Sequence, residues 1–243
     1  MPGAVLDRPL SFAPREEWLP PEAFPDSDGI PLETRDVYTA AALLRETILR
    51  ADLRPDMDVG VNQFVYVDPT DPSKSLGPDL WVAVGVPPRN RQRWEAWTEG
   101  KLPDLVMEMV SPTSVKRDTV DKVLEYGRYG VREYFWFDPI SLRWAGYRNR
   151  AGIMQPIRLE RDATRISQVV GLKLRLWTGY YGPWEKTWLR WYGLDGRLLP
   201  TAEEDRVAAE ARAQAAEAAQ QAAERKMAEM RELLRSLGHP WPE

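Results

Sequence analysis

Apolar residues recur at two different periods along the chain, and each period predicts a type of element. In residues 35–53, Val37, Ala41, Leu44 and Ile48 are spaced as on one face of a helix, so an amphipathic helix is predicted there. Short runs rich in β-branched and aromatic residues, bounded by Pro, Asp or Gly, predict strands. These runs are MDVGVNQFVYV, DLWVAVGV, DLVMEMV, REYFWF, LRWAGYRN, IMQPIRLE, LKLRLW and WLRWYG.

A second helix is predicted between the strands DLVMEMV and REYFWF. The segment SVKRDTVDKVLEYGRYG has helical spacing, with Asp118 as the predicted N-cap and Gly130 as the predicted C-terminal stop. The order helix, three strands, helix, strand is typical of an α/β layer with a mixed sheet. The step from Leu105 to Phe137 is predicted to be a right-handed parallel crossover.

The composition changes at both ends of this α/β region, which we place at residues 36–200. Residues 1–35 are rich in proline and acidic residues, so we predict an extended N-terminal arm. Residues 201–243 are rich in Ala, Glu, Gln and Arg, so we predict one long helical tail.

The tail helix carries a short apolar seam near its end. Its residues step by three, four and three, as in a coiled coil: Met227, Met230, Leu234 and Leu237. Upstream, the seam positions are mostly alanine. A single solvated helix and a paired coiled-coil helix both fit this pattern, and pairing would make the protein a homo-oligomer such as a dimer.

The residue inventory limits the chemistry. The 243 residues include no cysteine and one histidine, His239, near the end. Thiolate zinc sites, cysteine nucleophiles and His-ligated metals are therefore excluded, and a Ser-His-Asp triad would need that one terminal residue. Any metal held by the remaining residue types would be a hard cation such as Mg²⁺, Mn²⁺ or Ca²⁺.

Charge and hydropathy bear on partners and location. The net charge of −4 argues against a strong non-specific nucleic-acid binder, although it leaves room for a local basic groove. The chain has no signal-peptide pattern and no run of about 18 apolar residues, so we predict a cytoplasmic protein without a membrane span.

A glutamate stands where a buried strand should be apolar. In DLVMEMV, side-chain alternation places Asp104 and Glu108 on one face. They are roughly 13 Å apart, too far to hold one ion together, so Asp104 is predicted to be a turn or cap residue. Glu108 needs a partner from another strand, and Asp79 is the candidate, because it begins the neighbouring apolar run. The alternative is that Glu108 pairs with an arginine or lysine in the core.

Lys122 also has two interpretations. It lies four residues after Asp118 on the second helix, a spacing that allows a surface ion pair. Alternatively, its long stem reaches the sheet, and the ammonium lies within one hydrogen-bond length, or one bridging water, of Glu108 or Asp79.

Together these motifs resemble a known family. The string PDLWVAV…PDLVMEMVSPTS…RD…DK…Y…GVREYFWFDP is similar to the Uma-two (Uma2) family, a branch of the PD-(D/E)XK restriction-endonuclease-like superfamily. The resemblance covers about residues 37–191. It implies a restriction-endonuclease-like mixed sheet flanked by helices, and a metal-dependent endonuclease that hydrolyses DNA phosphodiester bonds.

The resemblance also implies a site. Asp79 and Glu108 match the metal-binding and catalytic carboxylates, with Mg²⁺ or Mn²⁺ as cofactor. The superfamily lysine, two residues after the glutamate, is replaced here by Val110, and Lys122 takes its place. Glu46 on the first helix is an additional candidate metal ligand.

Other features leave alternatives open. Five basic residues flank the site and could contact phosphates, or lie in solvated loops: Arg89, Arg91, Arg93, Lys116 and Arg117. Trp94 and Trp97 could stack on bases or pack in the core. The alternative function is a catalytically silent nuclease-fold interaction module that assembles through its C-terminal helix.

Overall fold

The computed structural model describes residues 12–24 and 35–238. Chain contacts divide the protein into two compact units, Met1–Leu199 and Pro200–Glu243. The helices are α1 (Arg35–Arg50), α2 (Ala96–Glu99), α3 (Lys122–Tyr129) and α4 (Ala202–Ser236). The strands are β1 (Met57–Val61), β2 (Val65–Tyr66), β3 (Ser75–Leu76), β4 (Leu80–Val84), β5 (Trp94–Glu95), β6 (Leu105–Met109), β7 (Glu133–Phe137), β8 (Trp144–Arg150), β9 (Ile153–Pro156), β10 (Arg165–Ser167), β11 (Leu172–Tyr181) and β12 (Trp184–Tyr192).

A six-stranded mixed sheet forms the centre of the first unit, with the order β1-β4-β6-β7-β8-β9. Strands β6 and β7 are parallel, and the other neighbouring pairs are antiparallel. The parallel step through α3 is the one predicted from the sequence, and Gly130 ends α3 with φ of 88°. The mixed α/β fold and its long C-terminal helix are therefore confirmed.

Two smaller sheets complete this unit. Strands β10, β11 and β12 form an antiparallel sheet, and β3, β2 and β5 form a mixed sheet in which β2 and β5 are parallel. The run MDVGVNQFVYV, predicted to contain a strand, supplies two strands in different sheets, because the chain bends between Val61 and Val65.

The central sheet separates two apolar layers. One layer packs α1 against Leu105, Met107 and Met109 of β6. The other contains Val106 of β6 and Val110, which follows β6, together with residues of α3. The alternation predicted for DLVMEMV is confirmed, and Glu108 points into the α3 layer.

The described part of the N-terminal segment packs against the first unit. Residues 12–24 contain two single-turn 3₁₀-helices rather than a continuous extended arm. Phe24 is buried and packs on Tyr66 and Trp97, and the Leu19 amide donates to the Pro69 carbonyl. The rest of the predicted arm lies outside the described residues.

A buried carboxylate joins β7 to the segment after β10. Glu133 is 1% exposed and accepts hydrogen bonds from Arg148, from the Ser167 hydroxyl and from the Gln168 and Val169 amides. Buried carboxylates are stable when charge and hydrogen bonds are both satisfied, and Glu133 meets both conditions.

Glu133→Gln should therefore lower the free energy of unfolding by about 2–4 kcal/mol, because an amide cannot accept at both ends or pair with Arg148. Urea denaturation followed by tryptophan fluorescence measures the change. Glu160→Gln, an exposed position, is the control and should have little effect. Equal stability of the two variants would contradict the anchoring role.

The second unit consists mainly of α4. Thr201 and Glu204 form a reciprocal capping box at its start, as favoured at helix N-termini. No residue of α4 is buried. Among the residues that the structure describes, no helix is both long and apolar enough to cross a membrane.

Candidate active site

Two acidic residues face each other across adjacent strands. Strands β4 and β6 pair antiparallel with Leu80 opposite Met107, so one further step of the same register places Asp79 opposite Glu108. Residues directly opposite on antiparallel strands have Cβ atoms about 5 Å apart and point to the same face. This register therefore places Asp79 beside Glu108, the two carboxylate residues that the sequence singled out.

Asp79 directly precedes β4 and is partly exposed. Its Oδ2 accepts a hydrogen bond from the Met109 amide at 2.5 Å, and its carbonyl accepts from the Asn62 amide at 3.1 Å. These bonds hold the carboxylate beside the Glu108–Met109 peptide.

Glu108 is 2% exposed, and both of its oxygens contact donors on α3. Oε1 accepts from the Tyr126 hydroxyl at 2.9 Å, and Oε2 lies 2.9 Å from the Lys122 Nζ. The predicted contact between Lys122 and Glu108 is confirmed. The core ion pair considered for Glu108 is therefore also present, and its cationic partner is this same lysine.

Lys122 contacts a second carboxylate, that of Asp118, whose Oδ1 lies 2.8 Å from the ammonium. The two interpretations of Lys122 are thus both partly correct, because one ammonium bridges Asp118 and Glu108. The predicted surface position of the Asp118 pair is wrong, since Asp118 is 2% exposed. Buried in this way, Asp118 belongs to the site.

A π-helical turn, Arg117–Asp121, explains the position of Asp118. The Lys122 amide bonds to the Arg117 carbonyl, five residues back, while the Asp118 amide bonds to the Ser114 carbonyl, four residues back. Asp118 therefore lies within a helical segment and is not its N-cap. The wider turn aims Asp118 and Lys122 at the same point, and such turns are frequent at functional sites.

The electrostatics of the group follow from burial and from two carboxylates sharing one ammonium. Burial raises the pKa of Glu108; Lys122 and Tyr126 oppose this shift, whereas Asp118 adds to it. Burial alone would lower the pKa of Lys122, but the charges of Glu108 and Asp118 outweigh it and raise that pKa. Lys122 therefore remains a cation.

Tyrosines form one wall of the site. Tyr126 and Tyr134 stack with ring centroids 5.2 Å apart, and the Tyr134 hydroxyl donates to the Asp118 carbonyl at 2.7 Å. Burial raises the pKa of Tyr134, and the charges of Glu108, Asp118 and Asp79 raise it further. Both hydroxyls therefore stay protonated. Sequence reasoning gave these tyrosines no role, although Asp118, Lys122 and Tyr126 recur at four-residue spacing.

Glu46 lies apart from this group. Helix α1 packs in the layer opposite Glu108, and Glu46 Oε2 accepts from the Tyr181 hydroxyl at 3.0 Å. Burial and this bond raise the pKa of Tyr181 to about 12. Within residues 12–24 and 35–238, no three His, Asp or Glu side chains are grouped closely enough to hold a metal ion. The structure thus does not bring Glu46 to Asp79 and Glu108.

Asp104, predicted from the sequence to be a turn or cap residue, is held by a backbone amide and two basic side chains. It accepts from the Val84 amide at 2.8 Å and from Lys101 at 2.6 Å, and it pairs with Arg132 at 3.3 Å. Asp104 precedes β6 and Glu108 lies near its other end, so Asp104 is not part of the site.

In the arginine-rich loop, which was considered for phosphate binding, Arg89 and Arg91 pair with carboxylates of the protein. Arg91 is buried between Asp58 and Glu99, and Arg89 also bonds to Glu99. Burial of Glu99 raises its pKa, but Arg91 and Arg89 reverse the effect and leave the pKa lowered. Trp94 is fully buried, and its indole N–H donates to the Lys101 carbonyl. Trp97 packs on Trp18 and Phe24. These residues stabilise the fold, whereas Lys116 and Arg117 remain exposed.

A comparison with solved structures finds a crystal structure of a "putative nuclease belonging to DUF820" from Anabaena variabilis ATCC 29413. The two chains are 14% identical and superpose with a TM-score of 0.42, over 58% of this chain and 76% of the other. No curated protein sequence matches.

A family model described as "Putative restriction endonuclease", Uma2, matches residues 28–178. This range covers more than half of the chain and includes Asp79, Glu108, Asp118 and Lys122. The protein therefore belongs to the Uma2 family.

Proposed function

We propose that the protein is a divalent-cation-dependent endonuclease that hydrolyses DNA phosphodiester bonds at Asp79, Glu108 and Lys122. The observation that best supports this proposal is the Lys122 ammonium, 2.9 Å from Glu108 on the face where Asp79 lies opposite Glu108. The family description supports the reaction class and makes DNA the natural substrate.

The donor set suits a hard divalent cation. Asp79 and Glu108 supply two carboxylates, and Asp118 and Lys122 beside Glu108 form an ion pair, so these four residues are net negative when all are ionised. Mg²⁺ in such enzymes is commonly bound by one or two carboxylates and keeps water or substrate oxygens as its other ligands. Asp79 and Glu108 would hold it. Carboxylate oxygens have about four lone-pair sites in total, so Glu108 can still accept while bonded to Lys122 and Tyr126.

A cation bound there would neutralise a phosphoryl oxygen and lower the pKa of a bound water. Lys122 has a separate task. Its raised pKa excludes a role as general base at neutral pH, so it acts as a fixed cation that stabilises developing negative charge. Asp118 and Glu108 hold its ammonium in one place, which is the preorganisation such a role requires.

The test is a cleavage assay on supercoiled, linear and single-stranded DNA with and without Mg²⁺ or Mn²⁺. The wild type should cut in the presence of the cation, and Asp79→Asn should cut at least about a hundredfold more slowly. The asparagine oxygen can still accept from the Met109 amide, so this variant should fold.

Asp121→Asn changes an exposed carboxylate next to Lys122 and is the control, expected to cut as the wild type does. A wild type that cuts none of the three substrates would refute the proposal. Equal cutting by Asp79→Asn would remove Asp79 from the proposed site.

A second candidate function, the catalytically silent interaction module, is favoured by one observation. Helix α4 has 35 residues, none of them buried, and large apolar side chains are exposed on it and just after it: Met227, Met230, Leu233 and Leu237. If the protein served only as such a module, the wild type and the Asp79→Asn variant would bind the partner equally well. Neither would show cation-dependent cutting.

A further inference from the structure

The apolar stripe at the end of the tail, formed by the seam residues Met227, Met230, Leu234 and Leu237, has a size pattern that specifies a partner. Stepping back from Met227 by the same heptad spacing gives small residues at nearly every position: Ala223, Gln220, Ala216, Ala213 and Ala209. The stripe is therefore narrow along the first half of the helix and bulky along the second. The helix itself is about 52 Å long at 1.5 Å per residue.

We infer that α4 pairs with α4 of a second copy of this chain in antiparallel orientation. The inference is independent of the nuclease proposal, since it uses only residues of the tail. In an antiparallel pair centred between Gln220 and Ala223, three of the four bulky seam residues meet an alanine of the other copy, and Leu237 meets the partner's Arg206, whose aliphatic stem can cover it. The layers are Met227 with the partner's Ala216, Met230 with the partner's Ala213, and Leu234 with the partner's Ala209.

A parallel, in-register pair lacks this complementarity. It would place methionine on methionine and leucine on leucine in one half, and alanine on alanine in the other. Alanine layers bury little apolar surface, and close packing requires that large and small side chains alternate across an interface. Size complementarity therefore favours the antiparallel arrangement.

The charged residues on either side of the stripe also favour the antiparallel pair. In the parallel pair, Lys226 would lie beside the partner's Arg231, and Asp205 beside the partner's Glu210; both are like-charged contacts, against one favourable contact between Arg212 and Glu217. In the antiparallel pair, Arg231 lies beside the partner's Glu210, with one like-charged contact between Glu217 and Glu224. The antiparallel pair thus has fewer repulsive contacts.

The polar residue in the stripe also fits. Gln220 is the only non-alanine among the five positions before Met227, and in the antiparallel pair it lies in the central layers beside the partner's Ala223. Its amide donates to Glu224 at 2.9 Å within its own helix. A single polar seam residue fixes register in helix pairs, so Gln220 would set the alignment.

The absence of cysteine from the chain allows a direct test by disulfide formation. The full-length double variant Ala213→Cys, Met230→Cys should form a covalent dimer under mild oxidation, because positions 213 and 230 meet across the antiparallel pair. Within one helix these positions are 17 residues, or about 26 Å, apart, too far for an intrachain disulfide. Each single variant should remain monomeric on a non-reducing gel.

A matched control is the double variant Ala211→Cys, Ala228→Cys, which keeps the 17-residue separation on the outer side of the helix and should not cross-link. Covalent dimer from the Met230→Cys single variant would show a parallel pair and overturn the inference. Monomer from the Ala213→Cys, Met230→Cys variant would overturn it as well. Neither outcome depends on cleavage of DNA.

Discussion

Replacing Lys122 with methionine is expected to slow DNA cleavage by at least about a hundredfold, and to lower the free energy of unfolding by about 3–5 kcal/mol. The kinetic effect follows from loss of a fixed cation beside the phosphate. The stability effect follows because Glu108 and Asp118 are both nearly inaccessible and share this one ammonium. Methionine keeps the length of the side chain, so a packing defect contributes little.

Cleavage rates measured under conditions where the variant is folded, together with urea denaturation, test the two parts separately. Lys74→Met is the matched control, since Lys74 pairs with Asp68 on the surface, where an ion pair contributes about 0–1 kcal/mol. Cleavage by Lys122→Met within about twofold of the wild type would remove Lys122 from the catalytic group. Unchanged stability would mean that the carboxylates take up protons or water without cost.

Glu108→Gln is expected to have the opposite effect on stability while abolishing cation binding. Removing the Glu108 charge leaves Lys122 and Asp118 as a one-to-one pair, and Tyr126 can bond to an amide as well as to a carboxylate. The free energy of unfolding should therefore stay the same or rise. The affinity for the cation should fall by more than about 100-fold. That is the largest loss expected when a residue that only supports a metal ligand is replaced.

The pH dependence of this effect has a definite sign. Burial raises the pKa of Glu108 in the folded protein, so the folded state binds this proton more tightly than the unfolded state. The ionised form thus costs stability in full above the raised pKa, and the cost disappears as the pH falls from there to the ordinary pKa of a glutamate. The stability advantage of Glu108→Gln should be largest at neutral pH and shrink toward acid pH.

Isothermal calorimetry with Mn²⁺ and urea denaturation at several pH values measure both parts. Glu133→Gln is a stringent comparison, because it is the same substitution at another buried glutamate, one whose ligands are amides, a hydroxyl and an arginine. Loss of stability in Glu108→Gln equal to that in Glu133→Gln would identify Glu108 as a purely structural ion-pair partner.

The sequence was sufficient for the strand-borne part of the site. Alternation along β6 determines which face Glu108 occupies, and the apolar run that begins at Asp79 identifies the neighbouring strand. Both are local patterns, and the register of β4 and β6 follows from burying their apolar faces. The reach of Lys122 follows from the length of its side chain and the position of α3 over the sheet.

Asp118 and the arginine loop could not be predicted in this way. An aspartate near the start of a helical pattern usually caps it, and nothing in the local spacing indicates a π-helical turn, which depends on contacts with the sheet. Similarly, the partners of Arg91 are Asp58 and Glu99, which lie 33 and 8 residues away in sequence. An arginine-rich segment looks like a solvated or phosphate-binding loop until its distant carboxylates are located.

The π-helical turn also makes the length of this segment as important as its composition. An ordinary helix advances about 100° per residue, so loss of one residue between Asp118 and Lys122 would turn Lys122 and Tyr126 by about that angle relative to Asp118. The contacts that these three residues now make could then not all be kept. Substitutions at exposed positions within the turn, such as Val120, leave the rotation of Lys122 relative to Asp118 unchanged. Natural selection on this segment should therefore tolerate many changes of side chain but few insertions or deletions.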